Sequence, residues 1–511
     1  MTMFRPLSRL VLAGALSLTA GVAMAQHDVG GGATRDAATP SGDSATRRSA
    51  PVRRVKPRVT STAVRTPRPP VTRVITAEQY NQQGDELFKA EQYDDALQAY
   101  TKAVQLKPIA SAYYHIGWIY NDREDYDQAV SALQQAVRLD PSDEVALNEL
   151  GYSYRNLKRY NEALDAYRRA IALKRDYATP YYEIGWIYND QGQYAQAVEP
   201  LSQAVRLKTD YADANEELGY AYYKLSRSQE AIASYQEAIR IKPDYGLAYL
   251  GLGDVYFYQT KQYSEAVEAY RQGVRLKDDN PTAFYNMAWC YNELKQYADA
   301  ASAAKRAIAL KADYPEAYNE LGYANRKLGG EQQKGSPTAQ RLFNEAIAAY
   351  REAIRLKPGY GLAYTGLGDV YYSDLSQCEQ AVPAYLEAAR ISPNNAATHF
   401  KLGWCYNDMS RYPEASDHLG EAVRLRPEYV EAHSELGFAY LKLHRIPAAL
   451  ETLRTAIRLK NDYATAHYYL GLVYIEQNNK AGAQAEYAIL QRLDRALAQK
   501  LYDAAPPSMK N

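Results

Sequence analysis

Phenylalanine appears seven times in 511 residues, tryptophan four times and cysteine three times. Three cysteines exclude the disulfide framework that holds small secreted domains together. Runs of Val, Ile and Thr in strand-like alternation are missing, which excludes a sheet as the basis of the fold. Beyond residue 25 no apolar run is long enough to cross a bilayer. Net charge is absent too, because 60 Lys and Arg balance 60 Asp and Glu. What is plentiful is tyrosine, with 49 copies, among Ala, Leu, Glu, Gln, Lys and Arg. That is helical material.

The neutral total hides two unlike ends. Arg5 and Arg9 precede LVLAGALSLTAGVAMA (residues 10–25), which closes on the small-x-small site Ala23-Met24-Ala25. This reads as a signal peptide over residues 1–25 cut before Gln26, directing export to the periplasm or the exterior; left uncleaved it would anchor the chain in the membrane. Residues 26–75 are Gly, Ser, Thr, Pro and Arg, with ten basic and three acidic side chains. Such a segment buries too little apolar surface to offset chain entropy, so a disordered basic arm is expected. The rest of the chain is acidic by about nine charges. No nucleic acid is expected on such a body, while the arm suits electrostatic contact with an anionic envelope surface.

The body repeats. Gly84, Gly117, Gly151, Gly185, Gly219, Gly253, Ala288, Gly322, Gly368, Gly403, Gly437 and Gly471 follow one another at 33 to 35 residues, except for a step of 46 after Gly322. Around Gly117, the residues Tyr113, Ile116 and Tyr120 complete one helical face, and Ala129, Leu133 and Ala136 do the same on a second helix that stops at Pro141. Each unit is therefore a helical hairpin. Thr76-Ala77-Glu78-Gln79 forms a capping box that marks where order begins. Leu490, Leu493, Leu497 and Leu501 lie on one long closing helix, and residues 504–511 are an expected disordered tail. The long step reflects twelve extra residues, GGEQQKGSPTAQ (residues 329–340), expected as a solvated loop by default, with Ser336-Pro337 as the cap and first residue of a lengthened second helix.

In period and frame the chain resembles the tetratricopeptide repeat, whose signature runs W-x-x-L-G-x-x-Y, then A-x-x-x-F, then P. Departures are mild: Ala288 replaces one glycine, Asn325 one tyrosine, and several closing prolines are absent. The resemblance covers residues 76–503 and implies an all-α fold, a right-handed superhelical solenoid of about twelve helix-turn-helix hairpins. It also implies a concave groove, lined by first helices, in which extended peptides bind.

A second period lies inside the first. Hairpins with WIYND or WCYN always precede hairpins with ELGY or ELGF, and from Trp186 onward a GLGDVY type, or the looser LGLVY at the end, follows them. The array thus looks to have grown by copying three hairpins at once. All four tryptophans sit in the first type, each on a stripe apart from the frame glycine: Tyr114, Trp118, Asn121, Asp122; Tyr182, Trp186, Asn189, Asp190; Tyr285, Trp289, Asn292, Glu293; and Phe400, Trp404, Asn407, Asp408. Two placements are open for these rings, in the groove or packed between successive repeats. An amide and a carboxylate on the same stripe argue for the groove, where ring stacking and hydrogen bonds would hold a ligand.

Catalytic chemistry is not evident. His399, His433 and His467 recur at the repeat spacing, too far apart to share one metal, and read as core histidines. GLGDVY imitates a phosphate loop, but no strand precedes it. Cys290 and Cys405 read as buried thiols, and Cys378 as an exposed one open to intermolecular pairing. Expectation therefore falls on a non-enzymatic scaffold without cofactor or metal, binding a long or repetitive polypeptide through those stripes. A scaffold for carbohydrate or cell-envelope polysaccharide, using the same rings, is the alternative.

Overall fold

The computed structural model describes residues 75–277 and 279–510. The expected signal peptide, and the expected arm apart from Ile75, lie outside the described residues.

From Thr76 onward the chain is an all-α helical-repeat solenoid. Twelve hairpins follow in order, with first helices Ala77–Lys89, Ala110–Asp122, Glu144–Asn156, Ala178–Asp190, Ala212–Lys224, Gly246–Asp254, Pro281–Glu293, Pro315–Glu331, Gly361–Asp369, Ala396–Asp408, Val430–Lys442 and Ala464–Glu476. Among the described residues there is no strand, and no helix is long and apolar enough to cross a membrane. Thr76 opens the array with both bonds of the capping box.

The frame glycine sets how closely the two helices of a hairpin approach. A Cβ at Gly117 would lie 2.4 Å from Leu133 Cγ, and one at Gly151 would lie 2.6 Å from Tyr167 Cε1. These glycines admit a large buried partner from the second helix. At Ala288 the partner shrinks instead: the matching position is Ala304, and both are fully buried.

Ten of the turns inside hairpins place a non-glycine residue in the left-handed region, from Glu91 at φ 57° to Asn478 at φ 54°. After Ala110–Asp122, Glu124 N–H donates to Asn121 O and Asp125 N–H to Tyr120 O, at 3.0 and 2.9 Å. This is the paired hydrogen bond of a left-handed helix stop; in the two remaining hairpins the positive-φ residue of the turn is a glycine, Gly192 in hairpin 4 and Gly335 in hairpin 8.

The steps of 35 have a structural reason. Both follow GLGDVY, where the extra residue is absorbed as a π-helical turn, Val255–Thr260 in hairpin 6 and Val370–Asp374 in hairpin 9.

Three expectations for the insertion and the ends are corrected, while the lengthened second helix capped at Ser336 is present as expected. Most of residues 329–340 is helix, because the first helix of hairpin 8 runs on to Glu331 and its second, Pro337–Leu356, starts early from the Ser336 cap. The closing helix is two helices, Lys480–Leu493 and Arg495–Ala504, since Asp494 breaks the first and caps the second. Leu490, Leu497 and Leu501 are buried, while Leu493 faces out. Residues 507–510 form one further helical turn in place of an unstructured tail.

First helices touch one another directly through hairpins 2 to 6, 7 to 9 and 10 to 12, whereas no second helix packs closely on another among the described residues. The stack is therefore tighter on the side of the first helices, which line its inner face.

Candidate functional site

The inner face is built from three positions of each first helix: the residue after the frame glycine, the residue four after it, and the residue two before it. Because first helices of neighbouring hairpins touch, the position four after in one hairpin meets the position two before in the next. Most of the predicted stripe is engaged in that meeting.

Asn121, Asn189, Asn292 and Asn407 are all buried. Each sends Nδ2 across the boundary to a glutamate 28 residues on: Glu149, Glu217, Glu320 and Glu435. The bonds to the carboxylates run from 2.8 to 3.0 Å, and each amide also donates to that glutamate's backbone carbonyl. These glutamates open the ELGY and ELGF strings. The fixed order of the first two hairpin types is thus a bonded pair, amide before carboxylate.

Burial pushes Glu149 upward and raises Glu320 and Glu435 to about 7, against the pull of the amide bonds. In hairpin 3 the same meeting is an ion pair, Arg155 Nη1 to Glu183 Oε2 at 2.6 Å, with both groups buried.

The rings are divided between the two neighbours. Trp118 packs edge-on against Phe88 at 4.9 Å, Trp289 against Phe257 at 5.1 Å and Trp404 against Tyr372 at 4.8 Å, while the Arg155 guanidinium lies 4.7 Å from the Trp186 ring. Each partner belongs to the hairpin before. The other aromatics lean forward, Tyr182 on Tyr211, Tyr285 on Tyr314 and Phe400 on Tyr429, at 4.9 to 5.2 Å; Tyr114, also half-buried, adjoins Glu149 and Asp143 of the next hairpin.

The four groups of a stripe are therefore not gathered into one open surface. The amide nitrogens are fully used, while Oδ1 of Asn189, Asn292 and Asn407 is buried with no hydrogen-bond partner among the described residues and that of Asn121 accepts from Ser153. The tryptophans are half-buried, and Asp122, Asp190, Glu293 and Asp408 are exposed, with Asp190 accepting from Tyr160 Oη at 2.5 Å.

The tryptophans also prove to be members of a longer row. The residue after the frame glycine is a half-buried ring in the ELGY and ELGF hairpins as well: Tyr152, Tyr220, Tyr323 and Phe438. In the GLGDVY hairpins the row is broken by acids. Asp254 accepts from Tyr270 Oη at 2.6 Å and is raised by burial to about 6, against the pull of that bond and of the Lys224 charge. Asp369 accepts from Tyr385 Oη and from Lys401 Nζ, both at 2.6 Å, and from Arg326 at 3.2 Å, while Arg326 Nε also binds Asp374 at 2.6 Å. Burial works upward on Asp369 as well, but Lys401 and Arg326 hold it below its ordinary range.

The frame of glycine, ring and paired helices recurs through twelve hairpins, and models of the tetratricopeptide repeat match residues 81–144, 182–246 and 339–396, residues 143–210, and residues 282–315. A TPR repeat model adds 257–289, 405–444 and 445–478. The chain is a tetratricopeptide repeat protein. No curated protein sequence matches it. Among solved structures it is similar to MamA, at 27% identity over 33% of this chain and 92% of that one, with a TM-score of 0.31. It is similar to YrrB, described as a TPR protein with an unusual peptide-binding site, at 21% identity over 39% and 96%, TM-score 0.34. The C-terminal part of a TPR repeat-containing protein from Cytophaga hutchinsonii aligns at 20% identity over 47% and 98%, TM-score 0.41.

The remaining sequence candidates of this tetratricopeptide repeat array are structural. His399, His433 and His467 each use Nε2 to hold a carbonyl six residues back, at Pro393, Pro427 and Asn461, over 2.8 to 3.0 Å. They pin the loop that enters their own first helix, and only His467 is fully buried. Cys290 and Cys405 are buried. Cys378 is buried too, at 5% exposure, rather than open to solvent, because it begins the second helix of hairpin 9 and faces hairpin 10.

The glutamate partners were missed in sequence. Their signal was there, since an Asn and a Glu stand 28 residues apart in every one of the four copies.

Proposed function

We propose that the array is a non-enzymatic interaction scaffold that holds an extended polypeptide along its first-helix face, and that it acts outside the cytoplasm after export through residues 1–25. One observation carries the reading. Half-buried rings at Trp118, Tyr152, Trp186, Tyr220, Trp289, Tyr323, Trp404 and Phe438 run along that face, each followed one helical turn later by a polar or charged group.

Those groups change in kind from hairpin to hairpin: Asp122 then Asn156, Asp190 then Lys224, Glu293 then Lys327, Asp408 then Lys442. An extended polypeptide advances about 3.3 Å per residue, and packed helices lie roughly 10 Å apart, so about three residues fall on each hairpin. Such a ligand meets a ring and then a polar or charged group at each of these eight hairpins. Its affinity would come from several weak contacts joined by avidity, which favours a long or repetitive partner.

The test uses exposed groups, so that folding is spared. Asp122→Lys with Glu293→Lys should weaken binding of a selected peptide by at least about tenfold, with melting unchanged. Binding to a glycan library and to no peptide library would replace this reading with the carbohydrate one. Export is tested separately: the protein recovered from its native cell should begin at Gln26 and fractionate outside the cytoplasm.

A further inference from the structure

Hairpin 9 departs from the commonest pattern at the first residue of its second helix. Tyrosine holds that position in seven hairpins, Tyr263 of hairpin 6 among them. The Tyr263 ring lies 5.1 Å from the Trp289 ring of the next hairpin and beside Cys290, which follows Trp289 in sequence.

Hairpin 10 carries the matching pair, Trp404 and Cys405, but the residue of hairpin 9 equivalent to Tyr263 is Cys378, which lies beside Cys405. A thiol thus takes the place of a phenol ring against a second thiol. Cys378 and Cys405 lie beside each other, both adjoin Tyr372, and both are buried, at 5% and 0% exposure. All three cysteines are free in the structure.

We propose that Cys378 and Cys405 are a site of oxidative modification, forming an intramolecular disulfide that staples hairpin 9 to hairpin 10. The oxidant is a disulfide of low molecular weight or a disulfide-bearing protein. One cysteine attacks a sulfur of that disulfide and releases the first thiol; the second cysteine attacks the mixed disulfide and releases the other. Two protein thiols are oxidised, one disulfide is reduced to two thiols, and the two protons leave on those thiols.

Access decides when this happens. The neighbouring Cys378 thiol, together with burial, holds the Cys405 thiol well above the ordinary range, so Cys405 offers little thiolate in the folded chain. The bond is expected to form as the chain folds, or when this boundary opens. Cys290 is the internal control: it has the same surroundings with Tyr263 in place of the second thiol, and it stays reduced.

The full chain is refolded from denaturant in a mixture of oxidised and reduced glutathione, then alkylated and denatured for thiol counting. The count should fall from three to one, with a linked Cys378–Cys405 peptide in the mass spectrum and Cys290 alkylated. Cys378→Ser should leave two thiols and no link, and Cys290→Ser should leave the link intact. The oxidised array should melt higher than the reduced one, with the gain lost on adding dithiothreitol. Three free thiols after refolding in fully oxidised glutathione would overturn the proposal, as would a linked dimer through Cys378.

Discussion

Asn407 reaches from hairpin 10 into hairpin 11 and gives its side-chain amide to both the backbone carbonyl and the carboxylate of Glu435, at 3.0 Å each. Glu435 is at the same time the acceptor for Tyr469 Oη of hairpin 12, at 3.2 Å. One buried carboxylate therefore ties three successive hairpins.

Removing the amide leaves that carboxylate buried with one partner fewer. Asn407→Ala is expected to destabilise the C-terminal hairpins by about 1 to 3 kcal/mol. Hydrogen exchange should show faster opening from residue 430 onward with little change before residue 360. Uniform destabilisation along the whole array would contradict the role given to this pair.

Acidity gives a second expectation. Glu320 and Glu435 are raised to about 7, from an ordinary value near 4.5, mainly by burial. Raised carboxyls bind protons more tightly in the folded chain than in the unfolded one, so stability falls as pH climbs from about 4.5 to about 7 and levels off above. Glu320→Gln with Glu435→Gln keeps an acceptor for each asparagine and removes the titration. The double variant should be the more stable protein at pH 8, by on the order of 5 kcal/mol, and should lose the advantage near pH 5. Equal melting of the two proteins at both pH values would refute the assignment.

The small pair Ala288 and Ala304 can be exchanged for the pairing used elsewhere. Ala304→Leu alone overfills hairpin 7 and should destabilise by about 1 to 3 kcal/mol. Adding Ala288→Gly restores the room that Gly117 gives Leu133 and should recover most of the loss. A double-mutant cycle of denaturation midpoints reads the coupling directly, and additive effects would show that the two sites do not share this space.

Left-handed turn residues offer the opposite change. Lys158 has φ 56° and Glu124 φ 60°, where a side chain is unfavourable and glycine is not. Lys158→Gly is expected to raise stability by about 0.5 to 1 kcal/mol in chemical denaturation. A loss of similar size would mean that the lysine makes a contact outweighing its backbone strain.

The repeat frame was legible in sequence because it rests on local rules. A glycine every 34 residues or so, a helix-period stripe and a T-x-x-Q cap each depend on nearby residues, and each appears in the structure where it was placed. The inner face was less legible. Asn121 and Trp118 share a stripe within one helix, yet they serve different neighbours, one bonding forward to Glu149 and the other packing back on Phe88. Helical spacing says which residues share a face but not what the next hairpin places against it. Cys378 was misread for the same reason. Its position between two helices looked exposed, and the surface covering it comes from hairpin 10.

Stacked hairpins that meet only their neighbours unravel one at a time from either end, like a zipper. Asp369 alters that in the middle, because its carboxylate is held from one side by Arg326 of hairpin 8 and from the other by Lys401 of hairpin 10. Losing any of the three leaves a buried charge uncompensated, at a cost of several kcal/mol. Hairpins 8 to 10 should therefore open as one cooperative unit. The ends can loosen and re-form while this block stays closed, so the chain keeps an ordered centre from which folding can spread in both directions.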